Sequence, residues 1–433
     1  MGHREQLDQI KQYLLKHQRY PCRIDVPPSV ALGLVVVIPC YDEPCLISTL
    51  ESLWACQDGS VDIEVIVVIN ASRHDQPIVH ARNDQTFAQA KAWILAREIE
   101  ARRRGIAFHL THYHDLPSRH AGVGLARKIG MDAAAARFCL IGKPDGVIVS
   151  LDADCVCDPN YLQQIAAHFA SCPSTSGCSI YFEHPLDSAA DVRSRHAIVN
   201  YELFLRYYKH GLKQAGSPYA HYTLGSGMAV RSSAYVQQGG MNRRRAGEDF
   251  YFLQQLMRGG RFTELGSTRV LPSARVSQRV PFGTGRAIEE QLNRRRCAYL
   301  TYSPHVFRDL ALLFCALIGL SRREQRAEDW LHTLPVPVAE FLHAQGFIEQ
   351  FPQMRSNAAS PQAFLKRFHH WFNGLRSVRY ARWATTSRYG WVPIEHAAAV
   401  LLRSKGLQRT QISALLDAEA LLNYYRQLDR VTY

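Results

Sequence analysis

Two pairs of carboxylates are the residues best placed to do chemistry in this sequence. In "VIVSLDADCVCDP", Val147 to Pro159, an apolar run ends in Asp152 and Asp154 with only Ala153 between them. In "RRRAGEDFYFLQQLMRGG", Glu248 and Asp249 follow Gly247 and open a helical pattern. Carboxylates two residues apart just past a strand end suit a hard divalent cation. Mg²⁺ and Mn²⁺ take oxygen ligands and bridge one or two carboxylates to substrate phosphates. Plainer roles exist for all four acids. Asp also ends strands and caps helices, as Asp158 before Pro159 is expected to do. Acids in a first helical turn favour the helix dipole.

The elements around these acids decide between the readings. "LGLVVVIPCYDEP" is a continuous apolar run, which suits a strand buried on both faces of a parallel sheet. "VDIEVIVVINAS" reads as a second buried strand, "IAFHLTHYH" as a third and "GVIVSLDAD" as a fourth. Between them, "CLISTLESLWAC", "QTFAQAKAWILAREIEARR" and "GLARKIGMDAAAARF" have helical spacing. This alternation predicts an α/β fold with a mostly parallel, Rossmann-like sheet flanked by helices. Ligands of such sheets bind at the carboxyl ends of the strands. Polar residues fall there repeatedly: Tyr41, Asp42 and Glu43, then Asn70 and Ser72, then Asp152 and Asp154. Three polar strand tips on one rim indicate a site. The expected organisation is an N-terminal helix and proline-marked connector over residues 1–30, an α/β domain over 31–290 and a C-terminal helical region over 291–433.

The chain has 433 residues, 47% hydrophobic and 21% charged, which is ordinary for a globular protein. A formal charge of +13 suits an acidic partner: nucleic acid, an anionic membrane surface or a phosphorylated small molecule. No recognisable nucleic-acid module accompanies that charge. The eleven cysteines fit no disulfide or zinc template, so reduced thiols and a cytoplasmic location are expected, with no leader in "MGHREQLDQIKQYLLKHQRY". "LALLFCALIGL" is too short for a bilayer span and reads as a packed helix.

Six stretches in order resemble the large inverting glycosyltransferase family 2, which has the GT-A fold. They are "VVVIPCYDE", "VIVVINAS", "AGVGLARKIG", "SLDAD", "LGSGMAVRSSAY" and "GEDFYFLQQL", and the similarity spans about residues 31 to 290. The resemblance implies a nucleotide-sugar donor, with a UDP-sugar favoured, and transfer to a hydroxyl of a glycan, lipid-linked or protein acceptor. A role in bacterial-type surface glycan or glycoconjugate synthesis is the expected setting. It implies that Pro39, Tyr41 and Glu43 line the base and ribose and that Asn70 hydrogen-bonds the base. Arg127 would approach the base or diphosphate. Asp152 and Asp154 would hold the ribose and the Mn²⁺ or Mg²⁺ ion. Asp249 would be the general base, with Glu248 beside it in the catalytic motif. Inversion needs one carboxylate to take the acceptor's proton while the cation helps the diphosphate depart. Asn70 stands where many relatives have Asp, and Lys128 stands where Asn is usual.

Weaker features remain open. Arg275 and Arg279 near a glycine turn are diphosphate ligands or solvated loop charges. "QLNRRR" from Gln291 partly matches the Gln-x-x-Arg-Trp box of processive synthases, but Arg295 replaces the Trp. His184 and His221 could face the acceptor, and His305 is a candidate third metal ligand. The aromatic stripe in "NYELFLRYYKHGL" reads as core. The basic C-terminal region docks peripherally to anionic lipid or to a large acidic acceptor, or is a solvated face. Two rivals to a glycosyltransferase stand. A sugar-nucleotide pyrophosphorylase should carry a glycine-rich, lysine-containing loop where this chain has "PCYDEP". A non-catalytic nucleotide-sugar binder should have lost the paired acids.

Overall fold

The computed structural model describes residues 2–21, 23–57, 59–244, 246–275, 284–293, 298–322, 325–408, 415 and 417–431. Arg279 and the Arg294–Arg296 run lie outside these residues. The chain divides into two compact units. One comprises Met1–Ala189, Thr223–Arg286 and Asp429–Tyr433, and the other Ala190–Tyr222 and Ala287–Leu428.

The first unit is built on a sheet that, among the described residues, has eight strands. These are β1 (Leu32–Cys40), β2 (Asp62–Ser72), β3 (Ile106–Leu116), β4 (Val147–Ser150), β5 (Val156–Cys157), β6 (Gly177–Phe182), β7 (Met228–Arg231) and β8 (Phe262–Leu271). They lie in the order β3-β2-β1-β4-β7-β6-β8-β5. The β3, β2, β1 and β4 ladder is parallel, as the apolar runs predicted. Beyond β4 the sheet is mixed: β7 runs antiparallel to β4 and β6, and β5 antiparallel to β8. The sequence pattern missed β5 to β8: β5 and β7, of two and four residues, are too short for a period-two signal, and β6 and β8, of six and ten residues, were not read as strands either.

Around this sheet lie α1 (His3–His17), α2 (Leu46–Trp54), α3 (Pro77–Leu95), α4 (Glu98–Arg103), α5 (Val123–Leu140) and α6 (Tyr161–Ser171). β1 sits between β2 and β4 and is buried from Leu34 to Cys40. Its Pro39 lacks a donor, but β4 ends opposite Val37, so the ladder loses nothing there. α5 packs closely on β1. A Cβ at Gly130 would come 2.3 Å from Val37 Cγ1, so only glycine permits this approach. The stretch expected as one helix over 85–103 is two. α3 starts earlier, with Pro77 pre-setting the first turn, and Arg97 leaves helical geometry (φ −115°, ψ 0°). The Arg97 guanidinium lies 4.3 Å over Trp93 and 3.0 Å from Glu51, contacts that hold the break.

α1 is tied down by polar bonds. Tyr13 donates to Asp132 (2.9 Å), and Lys128 donates to both Asp132 (2.8 Å) and the Tyr13 hydroxyl (2.8 Å). Lys128, which replaces the usual Asn, is therefore committed to the N-terminal helix.

The second unit is helical. It contains α7 (Val192–Gln214), His305–Arg322 and further helices through Ala418–Leu428 of the last helix. Its charged core is Glu202, wholly buried, which accepts from Arg206 (2.7 Å) and Arg426 (2.8 Å). Removing one member of such a buried set costs about 3–5 kcal/mol by stranding a charge. Of the aromatic stripe of α7, Tyr207 is core, packed edge-on to Phe307, while Tyr201, Phe204 and Tyr208 are half-buried. The run "LALLFCALIGL" lies within the packed helix His305–Arg322. Among the described residues no helix is long and apolar enough to cross a membrane.

Candidate functional site

The site forms at the carboxyl ends of β1, β2 and β4, where the chain leaves the sheet. After β1, Asp42 adopts a left-handed backbone (φ 48°), rare for a non-glycine residue and typical of constrained functional turns. Asn83 of α3 braces that turn. Its Oδ1 accepts from the Asp42 N–H (2.9 Å), and its amide donates to the Asn70 carbonyl (2.9 Å). Asn70, at the tip of β2, donates to the Cys40 carbonyl (2.8 Å). That leaves its buried Oδ1 without a partner among the described residues. A buried unpaired acceptor costs free energy, so this atom is suited to a ligand donor. Pro39 lies buried within β1, Tyr41 is half-buried beyond it, and Glu43 is buried with its carboxylate accepting from the Cys45 N–H (2.8 Å).

Arg127 is the hub. The resemblance implied that it approaches the base or diphosphate, but its side chain is only 2% exposed and is already engaged. Nε donates to Ser150 Oγ (2.9 Å), Nη2 to Asp152 (2.5 Å) and Nη1 to Glu248. It organises acids. Two glycines, Gly225 in the loop after α7 and Gly124 in α5, make room around it. A Cβ at Gly225 would lie 2.5 Å from Arg127 Nη2, and one at Gly124 would lie 2.1 Å from the Arg244 carbonyl.

α8 (Ser232–Gln237) follows β7, and α9 (Glu248–Met257) starts at the second acid pair. The two acids of α9 part ways. Glu248 turns inward to Arg127 and is buried. Asp249 accepts from the Gly225 N–H through Oδ2 (2.9 Å) and from the Phe250 N–H through Oδ1 (2.7 Å). Removal from water, and then the negative charge of Glu248, push its pKa up to about 7. Arg127 and the Phe250 N–H oppose that rise without cancelling it.

Asp154 is part-exposed and lies 3.4 Å from Arg275, whose guanidinium also pairs with Glu43. Arg275 therefore belongs to the site, a role the sequence left open. Asp152 and Asp154 offer hard carboxylate oxygens suited to Mn²⁺ or Mg²⁺, and Arg275 already places positive charge against Asp154. His184 is buried at the end of β6, with its ring 3.1 Å from Thr284 Oγ1. His305 and His221 belong to the helical unit, where the His305 ring packs on Tyr389.

Sequence reasoning missed three members of this site. Ser150 acts through a lone hydroxyl at the end of a short strand, and Gly225 through a backbone N–H that every loop carries. Asn83 comes from a helix whose start was placed too late.

The profile of Glycosyl transferase family group 2 matches residues 147–416, and that of Glycosyl transferase family 2 matches residues 35–237. No curated protein matches the chain in sequence. Among solved structures, S. aureus TarS 1-349 in complex with UDP-GlcNAc is 12% identical with a TM-score of 0.40. That match covers 78% of this chain and 91% of the other. The mannosyltransferase PcManGT from Pyrobaculum calidifontis in complex with GDP-Man and Mn²⁺ is 13% identical with a TM-score of 0.33. It covers 99% of this chain and 96% of the other, and both structural likenesses are weak. The helix-flanked eight-stranded sheet with a helical C-terminal region has the architecture expected of GT-A. With the family profile spanning both acid pairs, the chain belongs to Glycosyl transferase family group 2 and is a glycosyltransferase, which sets aside the pyrophosphorylase reading.

Proposed function

We propose that the protein transfers a sugar, with inversion, from a nucleotide-sugar donor to an acceptor hydroxyl, with Asp249 as general base. The observation that carries this is the state of Asp249: raised to about 7, held by two backbone N–H groups and beside a Glu248 bound to Arg127. A base poised near neutral pH can take the hydroxyl proton and still release it. As the acceptor oxygen attacks the anomeric carbon, Asp249 takes its proton. The bond from that carbon to the diphosphate oxygen breaks, and its electron pair leaves with the nucleoside diphosphate. A divalent cation, Mn²⁺ or Mg²⁺, held by Asp154 and Asp152 would supply charge neutralisation for that leaving group. Arg275, standing between Glu43 and Asp154, is placed to shift onto the diphosphate when donor binds.

Asn70 Oδ1 supports a base with an imide N–H, such as uracil, because it is a buried acceptor awaiting a donor. A UDP-sugar is the favoured donor, and thymine, which carries the same imide N–H, is the alternative base that the panel below separates. The acceptor class is a glycan, lipid-linked or protein hydroxyl in surface glycoconjugate synthesis. Peripheral contact with anionic membrane is the companion reading of the +13 charge.

A thermal-shift panel of UDP-, GDP-, dTDP- and CMP-sugars with and without Mn²⁺ tests the donor side. A ligand of the folded form raises the midpoint by mass action. UDP-sugar with Mn²⁺ should give the largest rise, and Asp154→Ala should remove its metal dependence. An unchanged metal response in that variant ends the metal assignment.

A further inference from the structure

β3 is the edge strand next to β2, away from the acid pairs. Residues two apart on a strand share a face, and His112 and His114 share the one that α3 covers. Asp84 of α3 meets both rings. Its Oδ1 lies 3.9 Å from His112 Nδ1 and 3.8 Å from His114 Nδ1. One ligand atom from each of the three side chains lies within 4.8 Å of the others. The two imidazoles are close, with ring centroids 3.6 Å apart. Phe87, one turn further along α3, stacks on His112 at 5.3 Å and fixes the ring. His112 Nε2 is buried and has no hydrogen-bond partner among the described residues. Two cationic imidazoles at this distance would repel.

We propose that Asp84, His112 and His114 form a second metal site, for a divalent transition-metal ion of the Zn²⁺ class, distinct from the diphosphate-side acids. Two imidazoles and one carboxylate are the donor set that such ions prefer, whereas Mg²⁺ prefers oxygen alone. Bond lengths of about 2.0–2.2 Å require the three groups to draw in slightly. The two partners that must move are the exposed ones: Asp84 at 61% and His114 at 54%, against 10% for His112. Three protein ligands leave a fourth position for water. The site also has a reach. His112 registers with Ile69, one residue before Asn70, and Asp84 follows Asn83, which braces the turn after β1. A metal there would clamp the edge strand to α3 beside the β2 tip.

The test uses the full-length, tag-free chain stripped with a chelator, without nucleotide. Co²⁺ is titrated by its visible absorption, displaced by Zn²⁺, and the thermal midpoint is followed with Zn²⁺ alone. Wild type should bind one Co²⁺ with a tetrahedral spectrum and gain thermal stability from Zn²⁺. His114→Ala and Asp84→Asn, both at exposed positions, should fold normally and lose at least about tenfold in affinity. Asp154→Ala should keep both responses. Absence of the Co²⁺ band in wild type, or undiminished binding in His114→Ala, overturns the site. Loss in Asp154→Ala with retention in His114→Ala would put the ion at the diphosphate-side acids, overturning this site while leaving the donor-side metal assignment standing.

Discussion

The rim after β4 and the start of α9 each present two acids, and Arg127 treats the two pairs alike. At both, the first acid, Asp152 or Glu248, is bound by its guanidinium. The second is held otherwise: Asp154 by Arg275, Asp249 by backbone N–H groups. The difference lies in what surrounds the second acid. Asp154 sits among cationic and exposed groups, so it suits charge that arrives with a ligand. Asp249 sits against Glu248 and away from water, so its charge is disfavoured and a proton is easily taken up. One buried arginine thus holds the first acid of each pair and leaves the second to other partners.

Removing the sorter should have the largest effect. Arg127→Met strands Glu248 in the interior, at a cost of about 3–5 kcal/mol in folding free energy. Chemical denaturation should show that loss, and transfer should vanish. Arg127→Lys keeps the charge but cannot bond three partners in a fork, so it should fall between. If Arg127→Met unfolds like wild type, the two acid pairs are not joined through it.

Next comes the working acid of α9. Asp249→Asn should bind nucleotide-sugar nearly as wild type but lose about 10²–10⁴ in transfer. Calorimetry and nucleoside diphosphate release separate the two effects. Glu248→Gln should cost transfer less. Its loss should fall on stability, because a neutral amide meets Arg127 without charge. If both variants keep transfer, the acids of α9 only complement the helix dipole.

The smallest expected effect is at Arg275. Arg275→Ala should weaken nucleotide-sugar binding by about tenfold, the worth of a charged hydrogen bond to a phosphate oxygen. A solvated loop charge would leave affinity unchanged.

The parallel half of the sheet and its polar tips were readable because buried strands leave unbroken apolar runs and turns leave Pro, Asn and Asp. The acids themselves were readable from spacing. Their division of labour was not, because it depends on Arg127 crossing from α5 to two distant segments. The same limit hid the histidine site. His112 and His114 lie in the run read only as a third strand, and only the packing of α3 brings Asp84 to them. Lys128 looked like a departure from a motif until α1 folded onto it and supplied Tyr13. Sequence pattern reports what one segment needs, while these groups answer to segments far along the chain.

The raised Asp249 also bears on folding. Its native pKa of about 7 lies above the usual carboxyl value, so the native state binds more protons than the unfolded chain between about pH 4 and 7. Its contribution is fully present below that window and is lost as pH rises through about 7. Wild type should therefore lose more thermal stability than Asp249→Asn between pH 5 and pH 8.

The most direct test of Asp249 as base is the pH profile of kcat/KM for wild type and Asp249→Asn at saturating metal. Wild-type transfer should rise about tenfold per pH unit below about 7 and level off above it, as the carboxyl loses its proton. The variant should lack that limb at its reduced rate. A wild-type profile flat from pH 5 to 8, or the same limb surviving in Asp249→Asn, would contradict the assignment.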